Sequence, residues 1–121
     1  MDKQQAIYTF WKEATGLACF DDSAIPEDAK LPYVTYETMI DSLDNEVAPT
    51  GTIWMRTASW APLDSILASL ETYIGRGKLI PMDSGVMLVN RGNPFAQRTN
   101  DEIERSVKGY LINLSVEYLS N

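Results

Sequence analysis

The spacing of apolar residues changes several times along the chain, and each period predicts an element. Over residues 3–15, Ile7, Phe10, Trp11 and Ala14 recur at helical spacing and form one apolar stripe. Asp2 stands before that stripe as an N-cap, and Gly16 follows it as a stop. Residues 17–32 hold acids, Ser23, Pro26 and Pro32 and read as irregular, with Leu17 and Phe20 pinning the segment to the core. From Tyr33 to Met39 the residues are mostly β-branched or aromatic, which predicts a strand. Residues 41–51 are polar and contain Pro49 and Gly51. They predict a loop longer than the about two to five residues of an ordinary hairpin, and so a functional projection. A second strand is predicted over 52–58.

The second half repeats the pattern with stronger signals. Leu63, Ile66, Leu67, Leu70, Tyr73 and Ile74 hold a helical period, which predicts a helix over 60–74. Ser59 is placed to cap it, Pro62 fits its first turn, and Gly75 and Gly77 end it. Strands at 78–82 and 86–91 are joined by Asp83-Ser84-Gly85, which predicts a hairpin. Gly92-Asn93-Pro94 breaks the chain, and Phe95 to Thr99 extends the sheet. In the last segment Tyr110, Ile112, Leu114, Val116 and Tyr118 alternate with a mixed set, the signature of a half-buried strand starting near Ser106. The order predicts one α+β domain over 1–121, sandwich-like. Its mostly antiparallel or mixed sheet of about four to five strands would carry two main helices on one face.

Composition narrows the chemistry. The chain has 121 residues, enough for one core. It has no histidine, which removes Ser-His-Asp and Cys-His catalysis and imidazole-based metal sites. Cys19 is the single cysteine, so no disulfide forms within the chain, and it reads as a core residue. No glycine-rich phosphate loop or nucleophile elbow is present. The reading is of a protein that is not an enzyme and uses no cofactor. The polar N-terminus and the lack of a long apolar run place it in the cytoplasm, unless it is built into something larger.

The net charge of −7 is unevenly placed. Residues 21–46 hold eight acids against Lys30 alone, and the remaining acids and bases cancel. Such a segment is a solvated loop, a surface that repels an anion, or one that meets a basic partner. Within it Asp41, Asp44 and Glu46 lie close together, as a loop facing a lumen or partner, or more remotely as a divalent-ion site. Arg91, Arg98, Arg105 and Lys108 fall in the last third. They fit a nucleic-acid face or, preferably, pairing with acids of a neighbouring subunit. Trp54 and Arg56 share one face of their strand, with Ile53 and Met55 on the other. That pair reads either as an interface or as cover for the sheet.

Several segments together resemble a known family. They are Ile7-Tyr8-Thr9-Phe10-Trp11, Ile25-Pro26, Leu31-Pro32-Tyr33-Val34-Thr35-Tyr36-Glu37, Ile53-Trp54-Met55-Arg56, Ser59-Trp60 and Arg91-Gly92-Asn93-Pro94-Phe95-Ala96-Gln97-Arg98. The chain resembles, over roughly 7–119, the tail-terminator or minor capsid (neck) proteins of long-tailed bacteriophages and prophages. None of these segments is a catalytic motif. The resemblance implies a tail-terminator-like domain that forms a homohexameric ring. The ring would cap the tail tube, stop its growth and offer the joining surface for the head connector. Implied partners are other copies of the chain, the tail tube protein and the head–tail adaptor proteins. DNA would pass through the lumen without sequence-specific binding, and no membrane is involved. The implied location is the virion neck, after assembly in the host bacterial cytoplasm. The alternative within the same particle is a head-completion or connector protein. In a ring, Trp54, Arg56, Arg91, Arg98 and Arg105 are the candidate interface residues, and Asp41, Asp44 and Glu46 the candidate lumen loop.

Overall fold

A computed structural model of the chain describes residues 1–41 and 45–119. Helix α1 spans Lys3–Thr15 and starts in a capping box: the Asp2 side chain accepts from the Gln5 N–H, and the Gln5 side chain accepts from the Asp2 N–H. It stops at Gly16, whose φ of 69° is left-handed. Its apolar stripe, with Ala6 added, is buried as expected.

Two residues after Gly16 the chain departs from the expected irregular run. Ala18–Asp21 forms strand β1, paired in parallel with β2, Tyr33–Tyr36. A four-residue strand is too short to show a period, so only the pairing reveals it. Strand β2 also ends earlier than expected, at Tyr36 rather than Met39. In the expected loop, Glu46–Val47 forms a two-residue strand, β3, and β4 begins at Thr50 and runs to Arg56. Helix α2 covers Ala61–Ile74. Ser59 does not cap it. Its N-cap is Trp60, which makes no side-chain cap bond, while the Ser59 N–H donates to Thr57 Oγ1 at 3.2 Å.

Strands β5 (Lys78–Met82) and β6 (Gly85–Asn100) form the expected hairpin. Gly92-Asn93-Pro94 does not break β6. It is a bulge in which residues 92–95 stand against Asn113 alone, between the pairs Arg91–Leu114 and Ala96–Ile112. A Cβ on Gly92 would lie 2.8 Å from the Asn113 carbonyl oxygen, so the close approach needs glycine. Asn113 Nδ2 in turn donates to the Pro94 carbonyl at 2.9 Å. The last strand, β7, is Val107–Leu119, with Tyr110, Ile112, Leu114, Val116 and Tyr118 buried as the alternation predicts.

The molecule is thus α+β with a mixed sheet, and it has more strands than the four or five expected. The strand order is β1-β2-β4-β7-β6-β5, and β3 pairs beside the end of β7. Both helices pack on one face. Trp11 stacks on Tyr36 at 6.4 Å between centroids and lies on Gly51, where an added Cβ would come within 2.7 Å of indole Cη2. Phe10 of α1 meets Tyr73 of α2 at 5.7 Å. Helix α1 crosses the sheet from edge to edge. The amino group of Met1 pairs with Asp83 in the β5–β6 turn, and the helix's far end leads into β1.

Candidate interaction surface

The face of the sheet opposite the helices is where the predicted interface residues begin to gather. On β4, Ile53 is fully buried toward the helices, so Trp54 points to the other face. There Trp54 lies against Gly109 of β7, where a Cβ would sit 2.9 Å from indole Cε3. Its Nε1 donates to Thr35 Oγ1 at 3.1 Å. Beside it is a groove of about 440 Å³ whose lining includes Ile25, Leu31, Tyr33, Trp54, Arg56 and Val107. The β1–β2 crossover, residues 22–32, folds over this face and supplies one wall. Trp54 therefore both covers the sheet and lines an open groove, and the two readings of it are not exclusive.

Arg56 lies at the rim. It pairs with Glu104 at 2.7 Å and donates to Ser106 Oγ at 3.0 Å, both in the β6–β7 turn. That turn is held by Asp101, whose Oδ1 accepts from the N–H groups of Ile103 and Glu104 at 2.9 Å each. These bonds keep the Asp101 carboxyl below its ordinary range, the Glu104 N–H contributing most. The turn presents Ile103 at 93% exposure. Arg105, in the same turn, lines a separate dip with Asn100, Asp101 and Glu102.

Arg91 and Arg98 lie on the helix side of the sheet, apart from Trp54 and Arg56. Arg91 reaches Glu71 of α2 at 3.7 Å. Arg98 stacks on Trp60 with 4.5 Å to the centroid, and its Nε donates to the Tyr110 hydroxyl at 3.0 Å. That hydroxyl donates to Asp64 of α2, which Arg98 also approaches at 3.7 Å. Both arginines thus bind α2 to β6 within one chain. The register across the bulge puts them on one face, and no spacing rule in the sequence counts the extra residues.

The acidic segment is partly occupied by local bonding. Asp21 accepts from the Ser23 side chain at 2.6 Å and from Thr38, and these bonds lower its pKa, Ser23 most. Glu37 accepts from Thr50 N and Oγ1 at 2.7 and 2.6 Å. Glu46 accepts from Ser115 Oγ at 2.7 Å, and the Asp41 carbonyl accepts from Lys3 Nζ at 2.9 Å. Asp44 lies outside the described residues. Among the described residues no three acids or thiols are grouped as metal ligands. Cys19 is buried, and burial pushes its thiol pKa up, away from a reactive thiolate. No helix among the described residues is long and apolar enough to cross a membrane.

Sequence reasoning missed the β1–β2 crossover as a groove wall and missed Ile103 as a projecting side chain. The Asp101-Glu102-Ile103-Glu104 run carries the signal for the second, an Asx turn with an aliphatic residue at its tip. Comparison of the chain with family models and with curated proteins finds no match.

Proposed function

We propose that the chain is a structural subunit of a long-tailed phage particle: a tail terminator whose ring caps the tail tube and joins it to the head connector. The observation that carries this reading is where the resembling segments fall. Leu31 to Glu37 runs through β2, and Ile53 to Arg56 ends β4 beside it, with Tyr33 opposite Trp54. Arg91 to Arg98 is the bulged part of β6, across β7. These three of the six segments lie in one stretch of sheet, with β7 between β4 and β6, while Ile7 to Trp11 lies on α1, Ile25-Pro26 in the β1–β2 crossover and Ser59-Trp60 just before α2. That stretch includes the groove at Trp54, an exposed surface of the kind that assembly covers. The protein works by shape and copy number, with itself, the tube protein and the adaptor as partners, in the virion neck.

The test is a phage lacking this chain. A terminator's loss gives tail tubes of uncontrolled length, and adding purified protein to growing tubes stops them. Tubes of normal length beside heads that leak DNA would overturn the terminator reading and make the chain a head-completion protein.

A further inference from the structure

Opposite edges of the sheet carry opposite charges that make no ion pair among the described residues. On the β1 side, Asp22, Glu27 and Asp28 are exposed and make no ion pair or side-chain hydrogen bond among them, with Lys30 the only base in the crossover. Ile25 lies among these acids at 42% exposure. On the β5 side, Arg76 is likewise exposed and unpaired among the described residues. Lys78 sits next to it, with its ammonium over the Tyr73 ring at 4.5 Å. Leu79 follows at 55% exposure. The nearby acids are already engaged, Asp83 by the amino terminus and Glu71 by Arg91. Each edge therefore shows one exposed aliphatic side chain beside charges of a single dominant sign, acidic on one edge and basic on the other.

We propose that the β5 edge of one copy, through Arg76, Lys78 and Leu79, docks on the β1 side of a second copy, at Asp22, Ile25 and Glu27. The strand order separates these patches by five strand spacings, about 24 Å. The patches are different surfaces, so the contact is heterologous. Every added copy leaves one patch of each kind open until a ring closes. Pro81 removes an N–H from β5, so the contact is made by side chains rather than by continuing the ladder. This inference rests on the ring reading for its closure, and it relocates the basic partner of the acidic segment from Arg91 and Arg98 to Arg76 and Lys78.

Two sets of substitutions test it, four charge reversals at exposed sites with no internal ion pair and one added charge at exposed Leu79. The first is Arg76→Glu with Leu79→Glu. The second is Asp22→Lys with Glu27→Lys and Asp28→Lys. Sedimentation of the purified full chain, without phage parts, reads the outcome, and circular dichroism confirms that each variant folds. The wild type associates, each variant alone associates at least about tenfold more weakly, and an equimolar mixture of the two recovers association because their edges are again complementary. A wild type that stays monomeric up to about 100 µM overturns the proposal. Variants that associate like the wild type, or a folded mixture that stays monomeric, overturn it as well. Failure of the terminator reading is separate: a protein that associates as described yet does not stop tube growth sinks that reading and leaves this contact standing.

Discussion

At the residue scale, side-chain bulk and local hydrogen bonds decide what each position tolerates. Gly51 has an ordinary strand conformation, yet its missing Cβ is the space that Trp11 fills. Gly51→Ala should therefore cost about 1–3 kcal/mol through overpacking, read as a lower urea midpoint with an unchanged slope. At Gly16 an added Cβ meets nothing within 4 Å, and the constraint there is the left-handed φ instead. The two carboxylates at Asp21 and Asp101 act through charge. Both are held below their ordinary range by donors that exist only in the folded chain. Their contribution is therefore whole above about pH 3.9, the ordinary unfolded value, and is lost as pH falls through the lower folded values. Asp21→Asn with Asp101→Asn keeps the turn geometry and removes the titration. The urea midpoint of that variant should fall less between about pH 5 and pH 2 than the wild type's.

At the element scale, both helices end at a glycine of positive φ but begin differently. Helix α1 opens with a capping box and α2 with a Trp60 whose side chain makes no cap bond, only its carbonyl accepting from the Asp64 N–H. Asp2→Ala should cost about 0.5–2 kcal/mol in thermal or urea unfolding. Ser59→Ala should stay within about 0.5 kcal/mol, because the Ser59 side chain caps nothing. These positions show what the sequence could reveal. Both helices, the β5–β6 hairpin and the buried face of β7 were legible because each has a period several residues long or a turn with its own chemistry. β1 was not, since Ala18 to Asp21 becomes a strand only by pairing with β2. The bulge in β6 looks like a break in the sequence, because Gly92 and Pro94 signal irregular backbone without saying that the ladder resumes at Ala96. For the same reason the candidate site was half legible. Trp54 and Arg56 share a face by simple alternation and border one groove. Arg91 and Arg98 sit across the bulge, on the other face, bound to α2.

At the scale of the whole molecule, two electrostatic effects oppose each other when copies meet, and their different ranges separate them. Each copy carries a net −7, and a domain of this length is about 35 Å across. Treated as central charges in water, two copies in contact repel by about 6 kcal/mol without salt. Screening reduces this to about 2 kcal/mol at 0.01 M ionic strength and about 0.2 kcal/mol at 0.1 M, where the Debye length is about 10 Å. The attraction between the β5 edge and the β1 side acts over contact distances of about 4 Å, so the same 0.1 M of salt removes only about a third of it. At about 1 M, where the Debye length is about 3 Å, that attraction is screened too. Self-association should therefore pass through a maximum near about 0.1 M salt, weaker at 0.01 M and weaker again at 1 M. Association that rises steadily to 1 M would mean that Leu79, Ile25 or Ile103 holds the copies together by burial alone. In the Arg76→Glu, Leu79→Glu variant both edges are acidic, so the fall above 0.1 M should vanish while the rise at low salt remains. The curve thus tells whether charge at the two edges, rather than apolar contact, selects how one copy meets the next.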